Sequence, residues 1–432
     1  MHVHSATLTE KIIARAAGLE VVRPGEIVMA KVDLAFAHDS SGPRRWEPLL
    51  KEIGAPILHP ERVAIVSDHY VPAADAESAA ILQQTRRFAR EHRVGHFFDA
   101  VGICHTVLPE HGLIRPGTFI AGGDSHTPTA GAFGAFAAGY GATDMGAILV
   151  TGETWVMVPA TIRVELIGAL QHGVTAKDVM LVLLHRLGMD NAFHTVEFAG
   201  SAVDAMSMGE RMVLCNMSAE LGADTGLIAA DAVTLAHLRA AGSPIEDEGA
   251  SLALASSDPS AAFASRVPID ASELVPQAAA PHSPENSGPV TEHAGVPIDI
   301  AYIGACVGAK LEDLRMAASV LEGRHIARGV RLVVAPASSH ITKLAAEEGT
   351  LATLLAAGAT LLGSGCGACA GYGGGVLAEG DVCISTTNRN FRGRMGHPNS
   401  SVYLASAYTV AASAVAGRIE DPRAFLTTRT NS

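Results

Sequence analysis

Positive charge is scarce in this sequence. Its 432 residues hold 31 Lys and Arg against 44 Asp and Glu, a formal net charge of −13, and no basic run occurs. Duplex nucleic acid is held by a stripe of Lys and Arg, so nucleic acid is not an expected partner. Charged residues of both signs make up only 17% of the chain and hydrophobic residues 48%. That balance excludes global disorder and leaves apolar surface for two to four domains. Apolar runs suited to a bilayer are missing as well. The two most apolar stretches are Thr129 to Val150, which carries Asp144 and many glycines, and Tyr403 to Gly417, which falls short of the roughly 20 residues a span needs. Both read as packed core helices, and no membrane is expected. The N-terminus has no apolar signal-peptide core; Thr7 as N-cap with Glu10 three residues on reads as a helix start. A soluble, cytoplasmic protein follows as the expectation. Cysteines number six, and without a secretion signal they do not predict a disulfide framework.

What is present is alternation. Residues 62–69 ("RVAIVSDH") read as a strand that delivers Asp68 and His69 at its end, and a helical pattern follows. Residues 175–188 read as a helix with Thr175 as N-cap and Gly188 as stop. Residues 331–338 read as a strand, 341–358 as helical and 359–363 again as a strand. Such alternation predicts an α/β fold with largely parallel sheets, in which ligands bind beyond the carboxyl ends of strands. The Pro-, Ser- and Ala-rich stretch 255–295 reads as a long connection. Soft boundaries near 160 and 290 divide the chain into units 1–160, 161–290 and 291–432.

Chemistry-bearing residues concentrate at the predicted strand ends. Cys366 and Cys369 form a CxxC in the glycine-rich "GSGCGACAGYGGG", and Cys306 stands where a strand gives way to a helix near Lys310. Three thiolates are one short of a closed zinc site and suit a [4Fe–4S] cluster with one iron left open. On spacing alone, a structural or redox CxxC fits equally well. Gly365, Gly367 and Ala370 also satisfy G-x-G-x-x-A, but that fingerprint needs a following helix, and "GYGGG" stands there instead. Histidine–acid neighbours recur: His38 with Asp39, Asp68 with His69, and Asp124 with Ser125 and His126, while His105 stands in "GICHTVLPEHG". A carboxylate beside an imidazole fixes its tautomer and raises its basicity, as proton transfer requires. "STTNRNFRGRMG" offers Asn388, Arg389, Asn390 and Arg394, a set suited to binding carboxylates. Asn216 and Glu220 are spaced i, i+4, which on a helix stacks them on one face.

In order along the chain, "HDSSGP", "SDHYVP", "GDSHTPTAGAFGAFAAGYGATD", "CNMSAELGADTGLIA", "PHSPEN", "CVGAKLEDLR", "GCGACAG" and the run from Ser385 to Pro422 resemble the aconitase superfamily. The resemblance runs from about residue 7 to 423 and is strongest to large subunits of the isopropylmalate dehydratase and homoaconitase group. It implies three aconitase-like α/β domains around an iron–sulfur site. It implies cluster ligands at Cys306, Cys366 and Cys369, and structural thiols at Cys104, Cys215 and Cys383. It implies active-site positions at Asp68, His69, His105, Asp124, Ser125, His126 and Glu220, and substrate contacts at His38, Asn216, Asn388, Arg389 and Arg394. The chemistry implied is dehydration and rehydration of a hydroxy di- or tricarboxylate, with His69 held by Asp68 as the acid.

Two departures accompany it. The family's usual Ser-Cys-Thr-Asn-Gly at the first ligand reads Ala305, Cys306, Val307, Gly308, Ala309 here, which keeps the ligand and removes polar neighbours. The family's small swivelling domain is not in the sequence, so a separate small subunit is expected as partner. The competing readings are an RNA-binding regulator, which the acidic balance opposes; a cluster-free binding module, which has no use for the Cys triad; and a nicotinamide oxidoreductase.

Overall fold

The computed structural model describes residues 5–243 and 256–426. They form two compact units. The first comprises Met1–Ala100, Cys104–Ala169 and Met189–Asp270, the second Val101–Ile103, Leu170–Gly188 and Ala271–Ser432.

In the first unit a five-stranded sheet is parallel throughout. Leu34–His38 lies at its centre, flanked by Val63–Ser67 and His96–Asp99 on one side and by Phe119–Gly122 and Phe136–Gly139 on the other. Its two central strands are buried at every position, as expected of a parallel sheet covered by helices on both faces. The helices Leu8–Ala17, Pro43–Ile53 and Ala76–Glu91 supply Ile12, Ile13, Trp46 and Phe88 to a core that includes Phe119 and Phe136. The capping box read at Thr7 and Glu10 is present: Glu10 N–H donates to Thr7 Oγ1 at 3.3 Å, and Thr7 N–H donates to Glu10 Oε2 at 2.7 Å. The same unit holds a second parallel sheet, in the order Thr225–Ile228, His194–Ala199, Ala160–Ile167, Ser265–Asp270.

The second unit is built on seven strands. Ser401–Ala405, Val382–Ser385, Ile300–Ile303, Arg331–Val334 and Thr360–Leu361 run parallel, and Gln277–Ala279 and Ser287–Pro289 add an antiparallel margin. The helix Ala176–Leu187 carries the Thr175 capping box and ends at Gly188 as the sequence indicates. The family's α/β fold with largely parallel sheets is thus the fold observed.

Three local readings need correction. Residues 129–150 are not one helix. They divide into the 3₁₀ segment Thr127–Phe133, the edge strand Phe136–Gly139 and the helix Ala142–Thr151, because Gly134 turns the chain at φ +74°. The stretch from Tyr403 begins in the strand Ser401–Ala405 and becomes helical only at Ala407–Ala416. Residues 256–295, expected as a connection, contain the strands Ser265–Asp270, Gln277–Ala279 and Ser287–Pro289; residue 255 lies outside the described residues. Alanine and proline hid these strands, since neither residue advertises one.

Close backbone contact sets what the first unit tolerates. A side-chain carbon on Gly131 would lie 1.7 Å from the carbonyl oxygen of Gly226. We expect Gly131→Ala to cost about 3 kcal/mol or more, because backbone cannot retreat as a side chain can. Gly18→Ala, at φ +67° with open space around it, should cost only about 1 kcal/mol. Equal urea midpoints for the two variants would refute this packing argument.

Candidate active site

The histidines and carboxylates of the first unit collect at the carboxyl ends of its five-stranded sheet. His38 closes Leu34–His38, Asp68 and His69 follow Val63–Ser67, and Asp124 follows Phe119–Gly122. His105 lies in the first turn of Cys104–Glu110. Parallel strands therefore deliver residues far apart in sequence to one edge.

Two linked networks result. In the first, His69 Nδ1–H donates to Asp68 Oδ1 at 2.6 Å, and the Cys104 N–H donates to Asp68 Oδ2 at 2.7 Å. Asp39 shapes the turn: it accepts the backbone N–H groups of Asp68, His69 and Tyr70 at 3.3, 3.0 and 2.9 Å. The His38 ring stacks on His69 with centroids 3.7 Å apart. His38 Nδ1 accepts the N–H groups of Ser40 and Ser41 at 3.2 and 3.3 Å, which assigns the proton to Nε2. That Nε2 faces Asp124 Oδ2 at 3.3 Å. In the second network Asp124 Oδ1 receives His105 Nε2 at 2.7 Å and the His126 N–H at 2.7 Å. His126 Nε2 in turn meets Glu220 Oε1 at 2.8 Å.

Burial and charge set the protonation of these groups. Burial alone would push the Asp68 carboxyl up, but the His69 charge and hydrogen bond, with His38 and the Cys104 N–H, outweigh it and hold Asp68 below the usual range. Burial would likewise deprotonate His69, yet Asp68, Asp124 and Asp39 lift its pKa to about 9. Asp124 is held well below the usual range, its burial overcome by His105 and His38. At neutral pH His69 is a partly exposed imidazolium on a buried carboxylate. The ligand atoms of His38, Asp39, Asp68 and His69 lie within 4.8 Å of one another, as do those of His105, Asp124 and His126. Within each group imidazoles face carboxylates, so the arrangement reads as a proton network.

Asn216 and Glu220 are both buried, but not as a stacked helical pair. The helix Met208–Asn216 ends at Asn216 and a 3₁₀ turn follows. Each side chain reaches the 126–129 turn, Asn216 Nδ2–H donating to Thr129 Oγ1 at 2.7 Å and Glu220 meeting His126. Ser125 does not join the network: it is exposed while His126 is buried. Asp39, a sequence neighbour of His38, spends its carboxylate on the 68–70 turn, and Thr129 carries no sequence signal for its contact with Asn216.

Cys306, Cys366 and Cys369 belong to the second unit. Cys306 follows Ile300–Ile303, Cys366 and Cys369 follow Thr360–Leu361, and Asn388, Arg389 and Arg394 follow Val382–Ser385, at the carboxyl ends of parallel strands of one sheet. None of the six cysteines forms a disulfide. The Cys306 thiol donates to Asn388 Oδ1 at 3.8 Å, and Asn388 is fully buried. Thr386 Oγ1 ties the turns together by accepting the Gly304 N–H and donating to the Gly304 carbonyl, both at 2.9 Å. A side chain on Gly308 would strike Thr386 Cβ at 2.2 Å, so the turn has room only for glycine there. Asn390, by contrast, is structural: its Nδ2 donates to the carbonyls of Ala280 and Val402 at 2.8 and 3.1 Å. Arg389 and Arg394 are half-buried, and Arg394 Nε has no hydrogen-bond partner among the described residues.

This donor set fits a soft, sulfur-liganded group. It offers three thiols, a glycine loop with positive φ at Gly367, Gly371, Gly373 and Gly375, and a buried Tyr302 hydroxyl with no hydrogen-bond partner among the described residues. The dinucleotide reading fails here, since only the 3₁₀ turn Gly367–Ala370 follows the strand. Among the described residues no helix is long and apolar enough to cross a membrane.

Comparison with known proteins agrees with this chemistry. The model of the aconitase family (aconitate hydratase) matches residues 10–295 and 289–417. The 3-isopropylmalate dehydratase large subunit 1 of Methanopyrus kandleri is 44% identical, over 97% of this chain and 99% of its own. The probable methanogen homoaconitase large subunit of Methanothermobacter thermautotrophicus is 45% identical, over 96% and 97%. The 3-isopropylmalate dehydratase large subunit of Heliobacterium modesticaldum is 44% identical, over 96% and 99%.

The raised His69 pKa has a consequence for stability. A group whose folded pKa lies above its unfolded value of 6.5 stabilises the fold fully below pH 6.5, and that contribution is lost as pH rises toward 9. Breaking the pair with Asp68→Asn should cost about 3 kcal/mol at pH 6. The advantage of the native chain should narrow between pH 6.5 and 9.5 in thermal unfolding. A difference in Tm that does not vary with pH would refute the assignment.

Proposed function

This chain belongs to the aconitase family, and from that premise we propose that it is the large subunit of a hydro-lyase that isomerises a hydroxy di- or tricarboxylate, 2-isopropylmalate and 3-isopropylmalate being the leading pair. The observation that carries the reading is the partly exposed His69 imidazolium paired with the buried Asp68. It is an acid in its donating form at neutral pH, located at the carboxyl end of a parallel sheet.

The roles follow from what each side chain can do. His69 gives its proton to the departing hydroxyl oxygen, so that water leaves rather than hydroxide, and Asp68 and Asp39 hold the ring for that transfer. Asp124 takes the Nε2–H groups of His38 and His105 and so fixes their tautomers. Glu220 does the same for His126, and Asn216 braces its turn through Thr129. Ser125, exposed beside them, remains accessible to a substrate. Asn388, Arg389 and Arg394 bind substrate carboxylates, Arg394 through the Nε that has no partner within the described residues. Cys306, Cys366 and Cys369 hold a [4Fe–4S] cluster, which when bound supplies a Lewis-acidic iron for the substrate hydroxyl. The proton on the neighbouring carbon goes to a base on a separate small subunit, a partner consistent with relatives named as large subunits. Readdition of water at the other carbon completes the isomerisation. The reaction belongs to the cytoplasm, where thiols stay reduced.

A second substrate class deserves the same assay, because a homoaconitase large subunit is as similar as the isopropylmalate dehydratases. Homocitrate-type tricarboxylates should therefore be tested beside isopropylmalate.

Purified without oxygen, the chain should be brown and hold about four irons, while Cys366→Ser holds substantially less and is inactive with the small subunit. Cys215→Ala, a buried thiol of the first unit, should keep its iron. Equal iron in the two variants would overturn the ligand assignment. His69→Asn should lower kcat by about 10²–10⁴-fold with iron content unchanged. Native turnover in that variant would remove His69 from the mechanism.

A further inference from the structure

Tyr302 lies on the strand Ile300–Ile303 that leads to Cys306, and no part of it is exposed. Its hydroxyl is buried and has no hydrogen-bond partner among the described residues. Leaving a buried hydroxyl unpaired costs about 1–3 kcal/mol, a cost that phenylalanine, of the same shape, would not incur. Such a group calls for a partner. Its surroundings narrow the choice. A side-chain carbon on Gly304 would lie 2.7 Å from the Tyr302 hydroxyl oxygen, and one on Gly367 would lie 3.9 Å from it. Gly304 stands two residues before Cys306 and Gly367 directly follows Cys366, so the hydroxyl sits against both thiol-bearing turns. Burial pushes the phenol pKa up. The group is therefore an O–H donor throughout the neutral range, beside sulfur atoms that become strong acceptors only when they are negatively charged.

We propose that Tyr302 is a positioning residue for the iron–sulfur group: its O–H donates a hydrogen bond to a sulfur of that group, either a cysteine thiolate or an inorganic sulfide. The inference rests on the cluster reading given above. Protonated thiols are weak acceptors and leave the hydroxyl unpaired, whereas the anionic sulfurs of a bound cluster satisfy it. The hydrogen bond favours the more negative, reduced cluster and retards its loss.

The test is Tyr302→Phe in the full chain, reconstituted anaerobically beside the native chain. We expect the variant to take up the cluster but to lose its visible absorbance in air about tenfold faster, with a lower reduction potential. Stripped of iron, the variant should unfold at the same temperature as the native chain or higher, because it has shed an unpaired hydroxyl and lost no bond. An exchangeable proton coupled to the reduced native cluster, seen by pulsed electron–nuclear resonance in H₂O and not in D₂O, should vanish in the variant. Equal decay rates, equal potentials and an unchanged proton signal would overturn the proposal. If Tyr302→Phe does not fold, the native signal decides alone: its absence overturns the proposal and its presence supports it. A native chain that takes up no cluster fails earlier, at reconstitution, and overturns the cluster reading itself.

Discussion

Buried carboxylates must be paired, and the first unit is arranged around that constraint. Asp68 sits out of water and Asp124 largely so at the ends of parallel strands, where an isolated buried carboxylate would cost several kcal/mol. The structure answers with imidazoles and backbone N–H groups. His69 and the Cys104 N–H take Asp68, while His38, His105 and the His126 N–H take Asp124. Each pairing fixes a ring and its proton, so the demand of burial and the demand of acid–base chemistry are met by the same contacts. The raised His69 pKa is the result of this, since its proton neutralises charge that has no solvent to turn to.

Glycine meets the second constraint, that loops from different strands approach closely. Gly131 lies against the Gly226 backbone in the first unit, and Gly308 lies against Thr386 in the second. At Gly308 the consequence reaches the chemistry. A threonine from the neighbouring strand end occupies the space beside Gly308 and locks the Gly304 turn that precedes Cys306. Ala305, at φ +70°, holds that turn in a conformation an alanine adopts only under tertiary constraint.

The histidine–acid neighbours were legible in the sequence because adjacent residues at a strand end share one turn. The pairing of Asp68 with His69 needed no tertiary information. Which carboxylate served His105, or that Glu220 served His126, could not be read, as those partners are separated by 19 and 94 residues. Ser125 shows the converse. Sequence adjacency grouped it with Asp124 and His126, but the turn points it outward. Asn216 and Glu220 were assigned to one helix face, and the helix stops between them.

By itself the sequence determined the class of fold, the helix starts at Thr7 and Thr175 and the acidic character of the chain. All of these depend on composition, local capping or short spacing, which the chain carries wherever it goes. The tertiary structure decided the rest: the strands hidden in 256–295, the edge strand within 129–150, the proton positions on His38 and His105, and the unpaired hydroxyl of Tyr302. Those depend on which distant backbone or side chain arrives alongside. In a parallel sheet that is set by strand order, which no local pattern encodes.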